Sequence, residues 1–167
     1  MSDAKNVDLS KRLARAERDW ESMQRICHDF FHGWRQTVMD RFGPDVAKEL
    51  ELSFYGRIGE GTARTFLERG GTPDDLAKLV RSLVRASEVM GEAAHLVIEE
   101  KDVLLVHAAC PWMDSFRATD APNQCQASCD HWFQSTAKSI SPRIKVLTES
   151  ALPAGGASCT RRFSFAQ

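Results

Sequence analysis

Residues 92–109, EAAHLVIEEKDVLLVHAA, hold the change of period on which the fold turns. Ala94, Leu96 and Ile98 alternate with His95, Val97 and Glu99, the two-residue period of a half-buried strand. Glu100-Lys101-Asp102 is a polar turn, and Val103-Leu104-Leu105-Val106 is a run of strand-formers. Residues 93–109 therefore predict a hairpin, closed by Cys110-Pro111.

Upstream of the hairpin the period is helical. From about Ser10 to Phe42, Trp20, Met23, Ile26, Cys27, Phe30, Phe31, Trp34, Val38 and Phe42 recur at spacings of three and four and predict one apolar stripe, with Cys27 in the core. Gly43-Pro44 ends that helix, and Pro44 can open the next, about Pro44 to Glu68. There Gly56, Gly59 and Gly61 mark either a break or a close approach of backbone to a neighbour. A third helix is expected with Thr72 as its cap, Pro73 first, and Gly91 after its end.

Downstream, residues 113–121 read as loop, and about Pro122 to Ile140 as a helix with Cys125, Cys129, Trp132 and Phe133 inward. Residues 143–150 and 158–165 read as two further strands, joined by a turn at Pro153–Gly156. The sum is one α+β domain over residues 1–167: a helical N-terminal half, then a small antiparallel sheet with an inserted helix in the C-terminal half. Residues 1–9 read as a frayed leader, 10–91 as the helical part and 92–167 as sheet plus cysteine-bearing helix.

The bulk chemistry narrows the partners. A net charge of −1 over 167 residues makes no electrostatic case for nucleic acid. No apolar run approaches the ~20 residues of a membrane span, and the polar N-terminus lacks the apolar middle of a signal peptide. A cytoplasmic setting is expected, where five cysteines point to free thiols, metal ligation or redox work rather than disulfides. A homodimer is possible.

Four of those cysteines are placed to converge. Cys110 ends a strand, Cys125 and Cys129 stack four apart on one helix face, and Cys159 begins the last strand. Thiolates suit zinc or an iron–sulfur cluster, but the set contains no C-x-x-C pair, and ordinary buried cysteines explain it equally well.

The segment from Cys110-Pro111 through Cys125, Cys129-Asp130 and Pro142 to the closing run from Gly155 through Cys159 to Phe163 resembles the L-2-amino-thiazoline-4-carboxylate hydrolase-like family. The resemblance covers about the last sixty residues. It implies hydrolytic opening of a thiazoline ring. The closing strand is also similar to the more distant vinyl-reductase-type domain, which binds small molecules and can hold zinc through cysteines and an acid. That domain's additional upstream cysteine is absent from Glu149–Pro153 here.

Two roles for Cys110 compete: nucleophile with His107 as base, or one metal ligand beside Cys125, Cys129 and Cys159. His131 follows Asp130 and could replace a cysteine, while Trp112 and Trp132 could wall a pocket for a planar cofactor or ligand. His28 and His32, four apart, fit the solvent face with Arg25 and Arg35, and Arg161-Arg162 fit exposed cross-strand pairs with Lys145 and Glu149. The leading expectation is a hydrolase-like enzyme acting on a small sulfur- or nitrogen-containing molecule at a cysteine-rich site. A non-catalytic small-molecule sensor or an iron–sulfur or zinc module is the alternative.

Overall fold

A computed structural model describes residues 2–166. The elements run α1 (Ser2–Phe42), α2 (Pro44–Glu68), α3 (Leu76–Val89), β1 (Ala93–Glu99), β2 (Asp102–Ala109), α4 (Pro111–Ala118), α5 (Pro122–Ile140), β3 (Ile144–Ser150) and β4 (Cys159–Phe165). The helix-rich N-terminal half and the C-terminal sheet with its inserted helix are as expected. The leader differs: α1 is helical from Ser2 onward.

The four strands pair antiparallel in the order β1-β2-β4-β3. The predicted hairpin forms with Val97 opposite Leu104 and Glu99 opposite Asp102. β4 then slots beside β2, placing Cys159 opposite His107 and Arg161 opposite Leu105. Strand alternation points Cys159, Arg161 and Phe163 inward and Thr160, Arg162 and Ser164 outward. Arg162 makes the expected exposed pairs, with Glu149, Glu99 and Asp102. Arg161 is instead 1% exposed, because neighbouring residues of a strand cannot share a face.

α3 and α5 cover the inner face of the sheet, bringing Leu79, Val80 and Leu83 against Leu105, Phe133 and Phe163. The α3 cap is Asp75, whose side chain accepts from the Lys78 N–H at 2.8 Å. Thr72 and Pro73 are used earlier, in a turn that the Asp75 N–H closes on the Thr72 carbonyl.

α4 lies where a loop was expected. Pro111 is its first residue and Cys110, in extended conformation, its N-cap. Cys110-Pro111 thus opens a helix as well as ending a strand, and Met113 and Phe116 bury the helix against the core.

α2 is continuous through its glycines. A Cβ on Gly59 would stand 2.6 Å from the Trp132 carbonyl oxygen and 2.7 Å from Ser135 Cβ, so α2 and α5 touch here backbone to backbone. Gly59→Ala is expected to cost about 1–3 kcal/mol through forced separation of the two helices, read by denaturant unfolding. Gly61→Ala, with open space at its Cβ, is the control.

α1 docks through Phe31 and Val38 together with polar residues beside them. Arg35, expected at the surface, is 4% exposed; its Nε donates to Glu51 Oε2 of α2 at 3.1 Å, and its guanidinium donates to Gln124 of α5. His28 and His32 also turn inward, His28 4.0 Å from the Trp112 ring and His32 bonded to Ser115 Oγ at 3.0 Å. Of the apolar stripe, Phe31 and Val38 are buried in this contact, most of the rest lies to one side of it, and Cys27 is exposed rather than core. Among the described residues no helix is long and apolar enough to cross a membrane.

Candidate functional site

Two adjoining spaces lie between the N-terminal helices and the sheet. The larger, about 570 Å³, is walled by aromatic side chains: Phe30, Phe31 and Trp34 of α1, Phe54 and Tyr55 of α2, and Trp112 and Trp132 of α4 and α5. Its titratable groups are few: Glu92, Cys129, Cys27 and Tyr55. The smaller, about 10 Å³, has room for little more than one water. It is lined by Cys110, Cys125, Cys129 and Cys159 together with Glu92, His107 and Arg161. Cys129 and Glu92 belong to both spaces and form the wall between them.

The four C-terminal-half cysteines therefore meet, as their spacing suggested, each delivered by a different local device. The end of β2 carries Cys110, one face of α5 carries Cys125 and Cys129, and the start of β4 carries Cys159. All are free thiols. The zinc or iron–sulfur centre expected from them is not provided for. Among the described residues no group of three or more His, Cys, Asp or Glu side chains is arranged to hold a metal. The thiols are already engaged: Cys125 bonds to Cys129, and Cys159 Sγ accepts from the Leu152 N–H at 3.2 Å. The buried Arg161 guanidinium stands among them, a fixed positive charge that repels a cation. Exhaustive chelation is expected to leave the thermal unfolding curve unchanged, followed by circular dichroism; a lowered midpoint would restore a metal-ligating role to these cysteines.

The electrostatics single out one sulfur. Cys129 is held below the ordinary thiol range by the hydrogen bond from Cys125, and the Arg161 charge acts in the same direction. Burial and the neighbouring Glu92 carboxylate push the Cys110 thiol far up. Cys125, as donor to Cys129 and buried, is also pushed up, and burial raises Cys159. Of the four sulfurs, Cys129 is thus the one whose ionisation the surroundings favour, as expected where like charges crowd a buried space and only one of them can be accommodated.

Arg161 is held on its far side. Its Nε donates to Asp130 Oδ1 at 2.9 Å, Thr148 Oγ1 donates to the same oxygen at 2.6 Å, and the guanidinium lies 5.0 Å over the Phe133 ring. Its Nη2 is buried without a partner among the described residues. His107, 4% exposed, brings Nε2 to 2.9 Å from Ser87 Oγ and 3.0 Å from Glu92 Oε2. The histidine therefore braces Glu92 at the cavity wall.

Of the residues singled out from sequence, Cys110, His107, Cys125, Cys129 and Cys159 line the small space, and Trp112 and Trp132 line the large one. His131 joins neither. Two positions beyond Cys129 on a helix it points elsewhere, its Nε2 packed near Gly56 of α2. Glu92 escaped sequence reasoning because it sits alone between a helix end and a strand. Arg161 escaped because its charge suggested surface; the strand period around it was the available signal.

The family model described as L-2-amino-thiazoline-4-carboxylic acid hydrolase matches residues 23–163. Among curated proteins, no sequence matches. Solved structures share the fold, three of them as follows. The phenol-responsive sensory domain of the transcription activator PoxR, with phenol, aligns at TM-score 0.59 and 12% identity, over 83% of this chain and 74% of that one. A trafficking protein particle complex subunit 3 from Naegleria fowleri, covalently bound to palmitic acid, aligns at TM-score 0.57 and 8% identity, over 88% and 97%. An H-NOX domain from Shewanella oneidensis in the Fe(II)CO ligation state aligns at TM-score 0.51 and 13% identity, over 83% and 75%.

Proposed function

The chain belongs to the L-2-amino-thiazoline-4-carboxylic acid hydrolase family, and from that premise we propose a hydrolase-like enzyme that takes a small sulfur- or nitrogen-containing molecule into the aromatic cavity and attacks it with the Cys129 thiolate. The observation that carries this reading is the shared wall: Cys129, whose ionisation the surroundings favour, and a braced carboxylate both face a large, mostly apolar space.

The roles follow from position. The rings of Trp112, Trp132 and Phe31 suit a flat heterocycle and exclude water from it. Glu92 accepts from an amidine-type N–H, orienting the C=N carbon toward Cys129. The Cys129 sulfur bonds to that carbon, and the C=N π pair moves to nitrogen, which takes a proton. Collapse breaks the ring carbon–sulfur bond, and the departing sulfur is protonated. Water, deprotonated by Glu92 with His107 behind it, then attacks the same carbon and releases Cys129 as thiolate. Cys110, held protonated beside this centre by burial and by Glu92, is disfavoured as the attacking sulfur, and the departing sulfur takes its proton from water.

Arg161 is a positioning residue that keeps Cys129 ionised from behind. Arg161→Met raises the Cys129 pKa, so the acidic limb of the kcat/KM profile moves toward alkaline pH. Loss of activity without movement of the limb would reduce Arg161 to a packing role.

The test is turnover of 2-amino-thiazoline-4-carboxylate and related thiazolines, with the released thiol measured colorimetrically. Thiol release that depends on Cys129 supports the reading, and release undiminished in Cys129→Ala overturns it. Saturable binding without product favours a second reading, a small-molecule sensor, for which the overwhelmingly apolar cavity lining is the specific support.

A further inference from the structure

We infer that α1 pairs with α1 of a second copy of this chain as a parallel two-stranded coiled coil. The observation is a seven-residue repeat laid along an uncovered helix face. Leu13, Trp20, Cys27 and Trp34 recur every seven residues. Leu9, Ala16, Met23 and Phe30 do the same, offset so that the steps alternate four and three. That alternation is the a/d seam of a left-handed coiled coil, sustained here for almost four heptads.

The seam is used only in part inside the chain, where Trp34 packs 5.9 Å from the Phe54 ring and is 39% exposed. α1 docks on the domain through Phe31, Arg35 and Val38, all buried. The seam stays open: Leu9 is 63% exposed, Leu13 59%, Met23 57% and Phe30 76%. Trp20 donates its indole N–H to the Val89 carbonyl at 2.8 Å, yet remains 44% exposed. N-terminal to it, residues 8–19 form a helix exposed at every position but Ala14. A segment of this length is marginal as an isolated helix, so its stability calls for something to cover Leu9 and Leu13.

Charge selects the occupant and its direction. Arg12 and Glu17 lie five apart on the two flanks of the seam, the g and e positions. In a parallel, in-register pair, Arg12 of each copy faces Glu17 of the other, giving two complementary contacts; in the antiparallel arrangement g flanks meet g flanks and e flanks meet e flanks. The exposed seam side chains with Ile26 offer about 700 Å² of apolar surface per copy, so pairing removes on the order of 1,400 Å², within the range of stable interfaces. Cys27, Phe30 and Trp34 also line the aromatic cavity. The partner helix therefore lies along the open side of that cavity and supplies part of its wall.

Light scattering on the full chain is expected to report twice the chain mass of 18.7 kDa. Leu13→Glu/Met23→Glu should give a monomer with unchanged near-ultraviolet dichroism. Should that variant not fold, the flank charges supply the same test: Arg12→Glu should weaken dimerisation about tenfold, and Arg12→Glu/Glu17→Arg should restore it. Direction is read from Cys27, which falls on the seam, so in-register copies bring the two sulfurs together. Oxidation by an added diazene, which takes up both thiol hydrogens and becomes a hydrazine, should link the copies through a Cys27–Cys27 bond that Cys27→Ser abolishes. A monomeric wild type, or a dimer indifferent to both the seam and the flank variants, would overturn the inference. A dimer that never cross-links at Cys27 would overturn the parallel register.

Discussion

Cys129→Ala is expected to lower kcat/KM toward the thiazoline substrate by a factor on the order of 10³ or more, the scale of removing a covalent nucleophile. The fold should survive, since Cys129 lies at a cavity wall and alanine suits a helix. The pH dependence identifies the cause. A thiol with a depressed pKa is ionised above that value and is lost as nucleophile when the pH falls through it, so wild-type activity should decline on acidification with a midpoint below that of an ordinary thiol. Limited alkylation near neutral pH, read by peptide mass spectrometry, should modify Cys129 ahead of Cys110, Cys125 and Cys159, all held protonated. Preferential modification of Cys110 would transfer the nucleophile's role to it.

The largest effect on stability is expected from Glu51→Ala. Glu51 is 2% exposed and holds three elements together: it accepts from Arg35 of α1 and, through Oε1, from Ser128 Oγ of α5 at 2.5 Å. Removing the carboxylate leaves Arg35 buried with only Gln124 to meet it. An orphaned buried charge of this kind costs about 3–5 kcal/mol, which for a chain of this size lowers the unfolding midpoint by roughly 10 °C. Removing both charges, in Arg35→Met/Glu51→Leu, should recover most of that loss, because the penalty comes from the unpaired ion. Equal destabilisation in the single and double variants would show that the pair itself contributes most of the energy.

The places where sequence and structure part company share one feature: each turns on which surface meets a face, and a period does not carry that information. The α1 stripe is plain in the spacing from Trp20 to Phe42, yet of its residues only Phe31 and Val38 are buried against the domain, and they are joined there by Arg35 and His28 from the polar flank. Charged and imidazole groups read as solvent-facing from type alone, but Arg35 finds Glu51 sixteen residues away and Gln124 eighty-nine away. Burial of such groups depends on partners that only the fold delivers. α4 was missed for a local reason, since X-Pro after a strand marks both a strand end and a helix start.

The sequence by itself determined the three N-terminal helices, the hairpin at 93–109, the helix carrying Cys125 and Cys129 and the two closing strands, because these follow from periods of 3.6 and 2.0 and from local turn chemistry; the meeting of the four cysteines needed β4 to pair with β2. Only the tertiary structure decided which of those sulfurs is favoured to ionise. Beyond the hydrogen bond from Cys125, that choice belongs to Arg161, delivered by β4 thirty-two residues beyond Cys129, while the Glu92 carboxylate, from the α3–β1 junction, helps to hold Cys110 protonated. Electrostatic energy depends on distance through space and on burial, and neither is encoded in separation along the chain.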